Sequence, residues 1–223
     1  MLFKIPGLAV LALCLATAPA LAQAPKAEVG VLLGWTFADG ASGNPIKALD
    51  GNTYNRADPK DSFSWGLDVG VFAGPNLQVG FLFGQQMSTL TVGGTKTTEI
   101  GDMTVNTYHP YVAYNLGESD AHVRPYLSLG LGATQYSSVD FTRANGTAAT
   151  VAGETQFSTT WGAGVKIYPN PKVGLRMGVQ WTPTYIKSDY AGTWCDPYWG
   201  CYVLSDAQYA NQWQFNGGLT FRF

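Results

Sequence analysis

The chain has little charge. Lys, Arg, Asp and Glu make up 13% of its 223 residues, against roughly 25% in soluble globular proteins. After its first 22 residues it also lacks a long apolar run, which argues against membrane helices, because a spanning helix needs roughly 20 apolar residues. A net charge of −2 argues against a nucleic-acid partner. Glycine (27 residues) and aromatic residues (13%) are plentiful instead, a composition that suits a membrane β-barrel.

The first 22 residues have the pattern of a cleaved signal peptide. Lys4 precedes a short apolar stretch over about residues 5–15, and the segment closes on Ala20-Leu21-Ala22. An early positive charge, a short apolar core and a small-x-small site are typical of exported chains. Cys14 raises a lipoprotein signal as an alternative, but Leu13 stands where that signal has a small residue. We therefore predict a signal peptide over 1–22 and a mature domain over 23–223.

The end of the chain alternates strictly between apolar and polar residues. Trp213, Phe215, Leu219, Phe221 and Phe223 share one phase, with polar residues on the other. A strand with this period has one apolar and one polar face. Comparable alternation predicts eight strands, over about residues 28–37, 63–71, 77–84, 103–115, 124–133, 157–167, 173–181 and 212–223.

The connections between these strands alternate in length. They are short near 74–76, 117–122 and 169–171, and long near 38–62, 93–101, 137–155 and 188–210. Short periplasmic turns opposite long outer loops are typical of membrane barrels, and a backbone in lipid must close on itself. We predict an all-β fold, an eight-stranded antiparallel up-and-down transmembrane β-barrel. In the fourth strand, Met103 and Val105 are out of step with Tyr108 and Val112, which predicts a bulge near His109-Pro110.

A soluble lipocalin-like barrel is the main alternative, and the residue phases argue against it. The candidate inner phase consists of glycine, Ser, Thr and Gln, which would make a poor soluble exterior. The apolar phase carries aromatic residues near both ends of the strands, as expected at two membrane interfaces. The residues near the loop ends are Trp35, Phe37, Phe63, Trp65, Trp181 and Trp213, and those near the turn ends are Tyr114, Phe221 and Phe223.

Charges of the inner phase cluster toward the predicted periplasmic end. They are Glu28, Asp68, Lys166, Arg176 and Arg222. The first and last strands adjoin in a closed barrel, so Glu28 and Arg222 are expected to touch. Charges in a narrow lumen need partners. Two interpretations stay open: a structural network that plugs the barrel, which its narrow width favours, and a charged constriction that selects solutes, for which the inner glycines would leave space.

Candidate catalytic residues are few. The chain has two histidines, His109 and His122. His122 falls in a predicted periplasmic turn beside Glu118 and Asp120, and His109 is followed by Pro110, so the His-x-Ser signature of lipid A deacylases is absent. A histidine without a placed nucleophile is usually structural. We predict no catalytic, cofactor-binding or metal-binding residues, and no cofactor.

The last long loop contains a predicted disulfide. Cys195 and Cys201 are the two cysteines that remain after signal cleavage, and an exported chain meets an oxidising compartment. A bridge would present Tyr198 and Trp199 at the loop tip, either as contact residues of an adhesive surface or simply within a loop stapled against proteolysis.

The Phe221-Arg222-Phe223 ending and the strand Arg124-Pro125-Tyr126-x-x-x-Gly130-x-Gly132 resemble the small outer-membrane β-barrel superfamily of Gram-negative bacteria. That group includes the membrane domain of outer membrane protein A and porin-like surface antigens. The resemblance implies a monomer in the bacterial outer membrane, in contact with its lipid and lipopolysaccharide. It implies that Phe221 and Phe223 form an insertion signal for the barrel-assembly machinery.

Relatives in this superfamily are structural, adhesive, or conduits for small or hydrophobic solutes. We therefore expect a non-enzymatic protein with an envelope-structural or surface-interaction role through its outer loops. A small porin-like conduit is the alternative, and a lipid-modifying enzyme comes third. The sequence names no external ligand or receptor.

Overall fold

The computed structural model describes residues 26–47, 52–142, 148–186, 194–196, 200–202 and 209–223. These residues form fourteen β-strands: β1 (Ala27–Ala38), β2 (Ala41–Lys47), β3 (Thr53–Pro59), β4 (Ser62–Phe72), β5 (Leu77–Gly94), β6 (Thr98–Asn115), β7 (Val123–Tyr136), β8 (Val139–Thr142), β9 (Ala148–Val151), β10 (Glu154–Ile167), β11 (Val173–Tyr185), β12 (Trp194–Asp196), β13 (Gly200–Tyr202) and β14 (Tyr209–Arg222). Within this described part, no helix has the length and apolar character needed to cross a membrane.

Eight of the strands close into a barrel. Their order is β1, β4, β5, β6, β7, β10, β11 and β14, and β14 pairs back onto β1. Every neighbouring pair is antiparallel. Each predicted strand coincides with one of these eight, apart from Phe223, which follows the end of β14, so the predicted fold is confirmed. Closure leaves no unpaired barrel edge, as a backbone in lipid requires.

Alternation along the strands separates two faces. The outward phase is apolar: Leu33, Leu131 and Phe215 are each more than half exposed. The inward phase is small or polar, and Thr36, Ser64 and Gln78 are buried. This is the reverse of a soluble barrel and agrees with the predicted arrangement for lipid.

The two ends of the barrel differ. At one end, which we call the short-turn end, the barrel strands are joined by residues 73–76, 116–122 and 168–172. At the opposite, long-loop end, three of the four connections carry extra strands: β2 with β3, β8 with β9, and β12 with β13. The short-turn end corresponds to the periplasmic side of outer-membrane barrels.

The predicted loop over 93–101 is wrong. β5 and β6 continue past the expected membrane boundary, and only residues 95–97 connect them. β3 pairs with the outer end of β5, placing Ala57 opposite Val92, and β2 pairs with β3. This tertiary pairing supplies hydrogen bonds to a segment whose Gly and Thr content favours a loop in sequence. The result is a wall of sheet above one side of the barrel.

The predicted bulge near His109-Pro110 is also wrong. The β5–β6 register is continuous there, and it shifts instead between Leu90 and Thr91. Met103 and Val105 are buried in the same inward phase as His109. They pack with Val139 at the start of β8. Met103 and Val105 can therefore be apolar and point inward because the β8–β9 hairpin covers them. No bulge is needed to turn them outward.

Candidate functional site

The lumen charges predicted from the sequence lie together at the short-turn end. Glu28 is 1% exposed, and its Oε1 lies 2.6 Å from Lys166 Nζ. Its Oε2 lies 3.4 Å from Arg222 Nε and accepts a 2.6 Å hydrogen bond from the Tyr168 hydroxyl. The register that places Glu28 opposite Arg222 explains their contact. Lys166 also donates to Gln78 Oε1 at 2.8 Å. The Glu28 carboxylate thus contacts two cations, Lys166 and Arg222, and the Tyr168 hydroxyl.

Asp68 and Arg176 form a second buried pair in the same region. Arg176 Nη1 contacts Asp68 Oδ2. The Tyr111 hydroxyl donates to Asp68 Oδ1 at 2.7 Å, and Arg176 Nε donates to the Tyr126 hydroxyl at 2.9 Å. The Arg176 guanidinium lies 4.6 Å from the centre of the Tyr126 ring. Hydrogen bonds of this kind satisfy the charges that an ion pair alone would leave poorly solvated.

Several inner glycines lie directly against tyrosine rings that cross the lumen. A Cβ at Gly80 would lie 2.7 Å from the Tyr111 ring, and one at Gly178 would lie 2.5 Å from the Tyr126 hydroxyl. A Cβ at Gly174 would lie 2.6 Å from the Tyr168 ring. The expectation that these glycines leave open space is therefore wrong at these positions. The missing side chains allow large rings to cross the lumen.

An apolar layer adjoins the charged layer. Leu32 and Leu82 point inward and cluster with Tyr111 and Ala113. Leu82 lies opposite Asp68 on one neighbouring strand and opposite His109 on the other, so the apolar cluster directly borders the charged residues. Ions passing along the axis would have to cross this apolar layer.

The outer half of the lumen is polar but uncharged. Thr36 donates to Ser64 Oγ at 2.9 Å, and Gln214 Nε2 donates to the same oxygen at 2.7 Å. Gln212 Nε2 reaches Gln86 Oε1 at 3.3 Å. The cavity between these side chains has a volume of about 20 Å³ that water can occupy. That is room for about one water.

His109 belongs to a buried hydroxyl chain that the sequence did not reveal. Its Nε2 lies 2.9 Å from Ser158 Oγ, which accepts from Thr134, and Thr134 accepts from Thr184 at 3.1 Å. All four side chains have no measurable exposure. His122 is separate, with its Nδ1 2.9 Å from the Tyr168 carbonyl oxygen. Within the described residues, no group of three or more His, Cys, Asp or Glu could hold a metal ion.

Arg124 is a further lumen charge that was not among the residues predicted from the sequence. It is 1% exposed, and its Nη2 donates to the Pro75 carbonyl at 2.7 Å and reaches Asn76 Oδ1 at 3.4 Å. Its phase was a usable signal, because Arg124 alternates with the outward Pro125 and lies in phase with Tyr126. Its partners lie in the turn between β4 and β5, and the alternation of residues in β7 does not reveal them.

The predicted loop residues are described only in part. β12 and β13 pair so that Cys195 lies opposite Cys201 along the backbone; their disulfide stays a prediction. Tyr198 and Trp199, like the predicted signal peptide, lie outside the described residues. At the other end of the barrel, Phe221 and Phe223 face outward and are 38% and 72% exposed; their role in insertion stays a prediction.

Comparisons with known proteins agree with this architecture. A family model described as "Outer membrane protein beta-barrel domain" matches residues 8–223. OprG from Pseudomonas aeruginosa is similar in structure, with a TM-score of 0.64 and 14% identity over 90% of this chain and 97% of that one. A major outer membrane protein from Thermus thermophilus has a TM-score of 0.54 and 13% identity, covering 88% and 99%. Neisserial surface protein A has a TM-score of 0.51 and 12% identity, covering 88% and 97%. No curated protein matches the chain.

Proposed function

Because the chain belongs to the outer membrane protein β-barrel domain family, we propose that it is a non-enzymatic surface protein with a sealed lumen. It lies in the bacterial outer membrane. Its role is to contribute to envelope structure or to contact external molecules through the long-loop end. The barrel anchors and orients those loops.

The main support for a sealed lumen is that side chains from several strands fill it. Lys166 and Arg176 meet their carboxylates near the short-turn end. Leu32 and Leu82 form the apolar layer. An eight-stranded barrel is just wide enough for its own side chains. A structural plug fits this arrangement better than a charged constriction, since a constriction needs water on both sides of its charges.

The burial of His109 supports a non-enzymatic role. His109 and Ser158 are within hydrogen-bond distance, a pairing that can activate a nucleophile. Both side chains face the closed interior and have no measurable exposure. A lipid acyl chain would approach from the outward face, which is occupied by Pro110 and its apolar neighbours. The pair therefore fits a structural role.

Conductance of the refolded protein in a planar lipid bilayer tests the sealed lumen. We expect no stable openings from protein whose folding is confirmed by its heat-dependent shift in gel mobility. Stable openings from the wild-type chain would overturn the plug and favour a porin-like conduit. The conduit remains the second candidate because the outer half of the lumen is lined by neutral amides and hydroxyls, which suit polar solutes.

Complementation in the native host separates the two parts of the proposed role. One variant replaces residues 187–208, the last long connection, with a short Gly-Ser turn; a matched control replaces residues 143–147. If the surface role depends on the last loop, the first variant restores envelope integrity but loses cell-surface contacts, and the control keeps both. If neither variant changes either property, a contact role for this loop is wrong.

A further inference from the structure

Positive charge exceeds negative charge inside the described barrel. Its buried charged residues comprise two acids, Glu28 and Asp68, and four bases, which are Lys166, Arg124, Arg176 and Arg222. Lys166 and Arg176 each have a carboxylate partner. Arg222 shares the Glu28 carboxylate with Lys166 through its Nε at 3.4 Å, and within the described chain no carboxylate lies within ion-pair distance of Arg124. A buried charge without compensation is unfavourable by several kcal/mol.

Both under-compensated bases lie at the short-turn end and leave a donor unused. The Arg124 Nε and the Arg222 Nη2 are buried and make no hydrogen bond to any residue that the structure describes. The two guanidinium groups are close enough to repel one another, and the carboxylates within electrostatic range of Arg124 are Glu28, which already pairs with Lys166 and Arg222, and the exposed Asp120. Unused donors and excess positive charge in one place both call for an anionic acceptor. Water could accept the hydrogen bonds, but it would not neutralise the charge.

The remaining contacts of each arginine hold it in position. Arg124 is fixed by the Pro75 carbonyl in the turn after β4. Arg222 stacks on the Tyr168 ring, with its guanidinium 3.2 Å from the ring centre, and its Nη1 reaches the Ser119 carbonyl at 3.5 Å. The planar fork of donors on arginine matches phosphate and carboxylate oxygens. The site is therefore built before any anion arrives.

We propose that Arg124 and Arg222 bind a small oxyanion of the phosphate type at the short-turn mouth of the lumen. Both side chains belong to the inward phase, so the anion comes from the aqueous space at this end and not from a lipid headgroup. On the orientation typical of outer-membrane barrels, that space is the periplasm. The bound anion would link the turn after β4 with the turn between β6 and β7, and would stabilise the closed end.

Titration calorimetry of the full mature chain, refolded in an uncharged detergent, tests the site with inorganic phosphate. We expect saturable binding, with sulfate competing and chloride at equal ionic strength failing to compete. Arg124→Gln should weaken phosphate binding about tenfold or more, because a hydrogen bond to a charged group contributes about 1.5–3 kcal/mol. Lys172→Gln, a change of an exposed cation in another turn of the same end, should leave it unchanged.

Three results would overturn the proposal. They are no saturable phosphate binding by the wild-type chain, equal competition by chloride, and equal weakening by Lys172→Gln and Arg124→Gln. If Arg124→Gln does not fold, Arg124→Lys replaces it, because it keeps the charge and removes the fork; unchanged phosphate affinity in Arg124→Lys would also overturn the site. The wild-type measurement decides independently of either variant.

Discussion

A single lysine, Lys166, holds the most connected carboxylate of the lumen in a charge-balanced state. Replacing it by methionine would keep much of the side-chain volume and leave Glu28 with Arg222 alone, at 3.4 Å. The variant removes the 2.6 Å ion-pair partner of Glu28 while Arg222 remains, so we expect Lys166→Met to lower the free energy of unfolding by about 1.5–3 kcal/mol, the contribution of a hydrogen bond to a charged group. Urea titration of the barrel in lipid vesicles measures this loss.

The chain contains a matched control for that ion pair. Lys60 and Glu99 form a bridge of nearly the same length, 2.7 Å, but their side chains are 58% and 59% exposed. Exposed bridges contribute at most about 1 kcal/mol, so Lys60→Met should have a much smaller effect. Equal losses in Lys166→Met and Lys60→Met would contradict a burial-dependent effect.

Inner glycines that lie against a tyrosine should be intolerant of even one added carbon. At Gly178 a Cβ would lie 2.5 Å from the Tyr126 hydroxyl and 2.9 Å from the Ala163 carbonyl oxygen. We expect Gly178→Ala to destabilise the barrel by about 1–3 kcal/mol through overpacking. Gly217→Ala is the control, because its nearest contact would be at 3.8 Å. Unfolding in urea should separate the two alanine variants; equal stability would show that Tyr126 does not need the space.

At the scale of elements, the barrel strands were predictable and the outer sheet was not. Alternation is a local property, so Phe63–Val71 and Trp213–Phe223 could be assigned to lipid-crossing strands from their own residues. The wall formed by β2, β3 and the outer ends of β5 and β6 depends on which segments pair. That information is tertiary, and Thr- and Gly-rich segments carry little apolar signal of it.

The same distinction applies to the candidate site. The inward phase identified Glu28, Asp68, Lys166, Arg176 and Arg222, because phase follows from the alternation. Partners across the lumen depend on strand tilt and register shift around the barrel, which single strands do not encode. This is why Tyr111 beside Asp68 and Arg124 beside Pro75 were found only in the structure.

The β8–β9 hairpin packs on the barrel through an apolar cluster in which Val139 is the buried residue of the hairpin. Val139 is 1% exposed and packs against Met103 and Val105. We expect Val139→Ser to release the hairpin without unfolding the barrel, since the residue lies outside the eight barrel strands. Faster trypsin cleavage after Arg143, which lies between β8 and β9 in the sequence, would report the release. Thr142→Ser serves as control, and equal cleavage of both variants would contradict this role of Val139.

The β12–β13 hairpin carries the predicted disulfide. Its backbone register places Cys195 opposite Cys201, and opposite positions on antiparallel strands are close enough for a bridge. We expect no thiol alkylation of the exported protein without reductant, and two alkylated cysteines after reduction. Mass spectrometry measures both states. Alkylation before reduction would show that the prediction is wrong.

At the scale of the whole molecule, the layers of the lumen act in series. A path for ions must cross the charged layers, the Leu32 and Leu82 layer and the amide-lined outer half, so any closed layer stops conduction. We therefore expect Leu82→Ala alone to remain silent in a planar bilayer, because Tyr111 still lies across the lumen on Gly80.

Removing at once three of the side chains that fill the lumen should change that result. The triple variant Leu82→Ala, Tyr111→Ala and Arg176→Ala removes an apolar side chain, a ring and a guanidinium that together fill the lumen around Asp68. We expect it to conduct, provided that its heat-dependent gel shift shows a folded barrel. Because the removed groups are in series, conduction should exceed that of each single variant. A folded but silent triple variant would locate the decisive closure in the groups left in place, which are the network around Glu28 and the outer half of the lumen with Gln86 and Gln212.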